Sequence, residues 1–175
     1  MRRNVRAALG TALGIGLMLL ATATATARTT GQASFRGTII APAKSGTRNV
    51  VNTIIVAQGV FTGVGKIVEV DNRPGDPGNV TRDDLVFPSG TLHIRNTSQK
   101  PHFSVDQQSC EFTGHVKQTT RIEGGTRRFR DASGTFTGAV RAWGVAPRNP
   151  DGTCNQQADA LLEVDAVSAR GTLSY

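Results

Sequence analysis

Glu69 closes a run in which Phe61, Gly63, Gly65, Ile67 and Glu69 occupy alternate positions. In an extended chain these residues share one face, so the carboxyl would stand at the end of an apolar row. A carboxyl held beside apolar groups gains proton affinity and can exchange a proton with a bound molecule. Glu69 is therefore the candidate catalytic residue, against the simpler reading of a strand-end carboxylate that has reached water. Gln118 shares a face with Phe112 in the same way. Together Phe61, Ile67, Phe112, Gln118 and Phe136 form the candidate ligand-binding set. The histidines are His93, His102 and His115, with Asp106 four residues after His102. Zinc ligation or acid–base catalysis would need them to converge, which spacing alone does not provide, and surface placement is the expectation. The chain has no G-x-S-x-G, H-E-x-x-H or Gly-rich phosphate motif. No metal and no cofactor is expected.

What must position these groups is an all-β framework. The stretch 110–122 sets Cys110, Phe112, Gly114, Val116, Gln118, Thr120 and Ile122 against Glu111, Thr113, His115, Lys117, Thr119 and Arg121. That is a strand with one packed and one wet face. Residues 134–142 repeat the pattern, and Leu162, Val164 and Ala166 alternate with Glu163 and Asp165. Further strands are predicted at 34–41, 50–57, 59–70, 84–96 with a break at Pro88-Ser89-Gly90, and 170–175. Turn-forming clusters separate them, the longest being the Pro/Gly stretch 71–79. About eight short strands so punctuated predict a single antiparallel β-barrel or sandwich, and closure into a barrel leaves no exposed edge. The tripeptide Phe-Thr-Gly occurs at 61–63, 112–114 and 136–138. Its Phe and Gly face the same side, so each copy is predicted to fill the core and leave room for a bend or a close neighbour.

The first residues give the chain an address. Arg2, Arg3 and Arg6 precede an apolar run, Ala7–Leu20, which is shorter than the roughly 20 residues of a membrane-spanning helix. Alternating Ala and Thr from Ala21 to Ala27 then offer A-x-A cleavage sites. Residues 1–27 are predicted to be a signal peptide, 28–33 a flexible mature N-terminus and 34–175 the barrel domain, secreted and without a stable membrane span after cleavage. The leader would take three arginines and no acid with it, reducing the formal charge from +7 to +4. Basic residues are not interleaved with exposed aromatics, which speaks against nucleic-acid binding. The two cysteines, Cys110 and Cys154, predict one disulfide in an exported chain. It would close a loop of about 45 residues, for which chain entropy gives roughly 4 kcal/mol.

The run from Gly124 to Gly138, GGTRRFRDASGTFTG, resembles the G-G-T-G-x-F-x-x-A-x-G motif of the allene oxide cyclase and dirigent barrel superfamily, and is similar to its uncharacterised exported actinobacterial members. Arg127 or Arg128 stands where that family has glycine. The similarity extends to LVFPSGTLHIRN and ARGTLSY, so it covers 84–175 and, more loosely, 34–70. It implies an eight-stranded antiparallel barrel with a central cavity, often built into homo-oligomers. No active-site residue of the cyclases finds a one-to-one counterpart, so none is carried over. Three functions are consistent with this reading. The first is non-catalytic binding of a small hydrophobic molecule in the lumen. The second is isomerase or cyclase action on such a molecule. The third is interaction with anionic polymers of the cell envelope.

Overall fold

A computed structural model describes residues 28–44, 47–48 and 52–175. The predicted signal peptide lies outside the described residues. Ten strands form: β1 (Thr30–Lys44), β2 (Thr47–Arg48), β3 (Asn52–Gly59), β4 (Gly63–Val70), β5 (Val80–Phe87), β6 (Gly90–Ser98), β7 (His102–Val105), β8 (Glu111–Gly125), β9 (Ser133–Val145) and β10 (Leu162–Ser174). Eight of them close an antiparallel barrel in the order β1-β3-β4-β5-β6-β8-β9-β10, with β10 pairing back onto β1. β2 extends a short hairpin from β1, and β7 pairs with the first part of β8. The predicted all-β barrel is thus the fold. β1 begins at Thr30 and pairs with β10 from Thr30↔Ser174 onward, so residues 30–33 are strand and not the flexible N-terminus expected over 28–33. β7 was not expected from the sequence, and the two predicted strands at the C-terminus are one continuous β10.

The barrel is closed at one end. After β8, the turn residues Arg127–Phe129 form a single 3₁₀ turn that lowers Phe129 into the end of the cylinder, where its side chain is fully buried. Phe61 and Phe87 meet edge to face at 4.9 Å, Phe61 and Phe129 at 4.9 Å, and Phe129 and Tyr175 at 5.4 Å. Such edge-to-face pairs add to the benefit of burying the rings. The Arg128 guanidinium lies 4.8 Å over the Tyr175 ring and donates to its Oη at 2.9 Å, and that hydroxyl donates to the Val60 carbonyl at 3.0 Å. Arg127 has φ of +50°, in the left-handed region that favours glycine. The arginine therefore adopts the conformation for which a glycine would be suited in the motif.

The three Phe-Thr-Gly copies use glycine to admit a neighbour. A Cβ on Gly63 would stand 2.8 Å from the Phe61 ring, one on Gly114 2.5 Å from the Phe103 ring, and one on Gly138 2.1 Å from the Ser168 carbonyl oxygen. Two admit an aromatic ring and one admits the adjacent strand's backbone. Phe61 itself precedes β4, because the chain turns at Gly59 (φ +109°) before the strand begins.

The far end is held covalently. Cys110 and Cys154 form the predicted disulfide, with Cα atoms 5.4 Å apart. The bridge ties the start of β8 to the 146–161 connection between β9 and β10, and Phe112, Val105 and Ala146 pack around it. On the outer wall, Asp76 fastens the 71–79 connection. Its carboxylate accepts from Arg82 Nε at 2.7 Å and Nη2 at 3.1 Å and from the Arg73 backbone N–H at 2.9 Å, while Arg82 also bonds Glu123 at 2.6 Å. Among the described residues no helix is long and apolar enough to cross a membrane.

Candidate functional site: the barrel lumen

Between the aromatic plug and the disulfide end lies a cavity of about 300 Å³. Strand alternation places its walls. Ile55 of β3, Ile67 of β4, Leu85 of β5, Ile94 of β6, Ile122 of β8 and Phe136 of β9 point inward nearest the plug and make an apolar floor. Two residues along each strand, the same inward parity brings polar side chains: Glu69 after Ile67, Asp83 before Leu85, Asn96 after Ile94 and Thr120 before Ile122. Ser98, Gln118, Thr81, Glu163 and Asp165 join this upper layer, and Phe103, Val116, Val140 and Ala142 give it an apolar side along β7, β8 and β9. Apolar floor and polar mouth are thus successive rungs of the same ladders.

The upper layer is organised by hydrogen bonds. Asn96, 6% exposed, donates from Nδ2 to Asp83 Oδ2 at 2.7 Å and accepts at Oδ1 from Thr120 Oγ1 at 2.6 Å. Gln118 Nε2 donates to Ser98 Oγ at 3.1 Å. All three contacts span strands, so they fix the polar groups to a closed framework and lower the cost of burying them. Asp165 is 4% exposed. Among the described residues that line the cavity there are four carboxyls, Glu69, Asp83, Glu163 and Asp165, and no lysine, arginine or histidine. Such a mouth accepts hydrogen bonds, while its floor excludes water. The described residues contain no group of three or more His, Cys, Asp or Glu with metal-binding geometry.

The sequence-derived set divides. Ile67, Gln118 and Phe136 line the cavity, and Glu69 lines it at an exposed position near the end of β4. Phe61 does not; it belongs to the plug, because it lies before β4 and turns toward Phe129. Phe112 does not either; it shares the inward parity of β8 but lies beyond the cavity, against the disulfide. Asp83, Asn96, Glu163 and Asp165 were missed. For Asp83 and Asn96 the signal was present, since counting by twos from Leu85 and Ile94 reaches them. β10 inverts the simple expectation. Its acids Glu163 and Asp165 face the lumen with Val167 and Ala169, and Leu162, 43% exposed, faces outward.

Of the histidines, His93 forms a 2.6 Å pair with Asp84 on the outer wall. His102 and His115 are directly opposed across β7 and β8. Asn96, which begins an N-x-S/T sequence with Thr97 and Ser98, lines the lumen.

Comparison with protein-family models, with curated proteins and with solved structures finds no match for this chain.

Proposed function

We propose that the protein is an exported binding barrel that holds a small, mainly hydrophobic molecule in its lumen, apolar body against the floor and a hydrogen-bond-donating end at the mouth. The observation that carries this reading is the amphipathic cavity itself: about 300 Å³ of space between isoleucines and phenylalanines below and amides, hydroxyls and carboxyls above. Ligand sites of small barrels have this composition, an apolar wall with a few placed polar groups. The disulfide and the leader, three arginines followed by an apolar run, support an exported address, and the resemblance to the allene oxide cyclase and dirigent barrels supports lumenal binding.

The test uses N-phenyl-1-naphthylamine, an uncharged apolar probe whose fluorescence rises out of water. The protein should enhance it saturably. Val140 lines the cavity from β9, and Val140→Phe should weaken the probe at least about tenfold while circular dichroism remains that of a β-barrel. Unchanged probe binding in the folded variant would remove the lumen as the site.

One observation favours catalysis as a second reading: Glu69 stands where the apolar floor gives way to the carboxyl layer. There it would transfer a proton to or from a lumenal substrate, in the manner of an isomerase or cyclase. In that case Glu69→Gln abolishes turnover of a converted substrate while its binding persists.

A further inference from the structure

Beyond Ser98, where β6 leaves β8, its place beside β8 is taken by β7. This exchange builds a second feature on the outside of the barrel. Register pairs His102 of β7 with His115 of β8, and His115 in turn with Arg141 of β9. All three line one open groove on the outer face. Neighbouring strands lie about 4.8 Å apart, so the row spans on the order of 10 Å. Two residues from Arg141 on the same face, Trp143 is 46% exposed in the groove wall, with the hydroxyl-bearing Ser104 and Thr113 beside it.

The charges facing this row are of one sign. On β8, Lys117 follows His115 on the same face; on the connection before β7, Lys100 precedes His102; on β9 the row holds Arg141. The residue of β10 opposite Arg141 is Ala166, and the acids of that strand, Glu163 and Asp165, line the lumen instead. The nearest acid on the outer face of β8 is Glu111, four residues from His115. An exposed indole beside hydroxyls and a cationic row suits a ligand that has apolar faces, polar edges and negative charge. A sugar ring has the first two, its C–H face lying on the indole and its hydroxyls on the polar rim.

We propose that the β7–β8–β9 groove binds an acidic polysaccharide, with a sugar ring stacked on Trp143 and its anionic groups held by Arg141, His102 and His115. His102, Arg141 and Trp143 are exposed, so they can be reached by a polymer from solvent. Arg141 and Lys117 oppose the alternative occupant of a histidine pair, a transition-metal ion held by two neutral imidazoles.

Trp143 is the one tryptophan of the chain, so intrinsic tryptophan fluorescence reports on this groove alone. Titration with polygalacturonate at pH 5.5 and low salt should shift that fluorescence saturably. The apparent affinity should fall at least about tenfold in 0.5 M salt, because the contacts are screened. Arg141→Ala should weaken binding about tenfold. The double variant His102→Ala/His115→Ala should weaken it by a similar factor. Neutral dextran should leave the signal unchanged. Val140→Phe, which fills the lumen, should bind the polymer as the parent does, which separates this surface from the cavity. No fluorescence response to polygalacturonate, an equal response to dextran, or unchanged affinity in the folded Arg141→Ala and His102→Ala/His115→Ala variants would each overturn the proposal. So would quenching by Cu²⁺ that requires both histidines in a protein indifferent to the polymer, which would make the row a metal site.

Discussion

The two ends of the barrel are built from the same strands and yet are held by different physics. At the plugged end, Phe61, Phe87, Phe129 and Tyr175 meet ring against ring, and Arg128 covers the outermost of them. At the open end, a disulfide and a ladder of side-chain hydrogen bonds take over, and the interior stays hollow. The contrast separates two tasks. Apolar packing at one end supplies stability that does not depend on filling the other, so a cavity lined by carboxyls, Asp165 buried among them, can be tolerated there.

The hardest test of this division is Phe129→Ala. Emptying a fully buried aromatic position typically costs 3–5 kcal/mol, ~4 kcal/mol here, and denaturant unfolding should show it. If the two ends are separate, the variant that still folds should bind the naphthylamine probe nearly as the parent does; a matching loss of affinity would break the comparison. Next in size is the open end. Cys154→Ser should cost roughly 2–4 kcal/mol, less than or equal to the loss at the plug. Hydrogen exchange should then rise in the start of β8, the end of β9 and the connection between Cys110-linked segments, and stay low in Leu92, Phe136 and Leu173 of the plugged half. Uniformly faster exchange would mean that the ends unfold as one.

Arg127→Gly acts in the other direction. Arg127 occupies the left-handed region, which costs a non-glycine residue roughly 1–2 kcal/mol. Part of that is recovered by glycine, offset by its greater freedom in the unfolded chain, so a gain of about 1 kcal/mol in thermal unfolding is expected. The smallest effect concerns the wall outside both ends. Hydrogen bonds from Arg82 and then from the Arg73 backbone hold the Asp76 carboxyl down at about 2 from its ordinary 3.8. A depressed carboxyl stabilises the fold fully above its unfolded value and loses that contribution as pH falls through the folded one. The parent should therefore lose stability between about pH 4 and pH 2 in a step that Asp76→Asn lacks. An identical acid profile in the variant would show that the 71–79 connection adds nothing to the wall.

Much of the fold was legible because alternation is a local signal. In 110–122 and 134–142 the inward set is the one that counting by twos gives, and the barrel follows once such strands are numerous. Alternation, however, identifies a face without saying whether that face is dry. In β10 the apolar residues Leu162 and Val164 suggested the core, whereas the acids point inward to the lumen and Val164 lies outside between Ile40 of β1 and Trp143 of β9. Asp83 and Asp84 are adjacent, one in the lumen and one paired with His93 outside, and composition could not tell them apart. Glu69 was found because Ile67 fixes its parity two residues away. Phe61 misled because its alternation with Gly63 continues across a turn that ends the strand. β7 gave no signal at all: four residues, His102–Val105, are too few to alternate, and their pairing with β8 is set by the register of the hairpin they enter.

The pairing of the first strand with the last has a consequence for how the molecule is made. Thr29 and Tyr175 exchange backbone hydrogen bonds at 2.8 and 2.9 Å, and Thr30 reaches Ser174 across 144 positions of sequence. The cylinder is therefore one seam short until β10 lies against β1, and without β10 the first strand keeps only one of its two barrel neighbours. Closure rests on a contact between the most distant strands in the sequence, the kind of pairing whose loop-closure entropy makes folding slow.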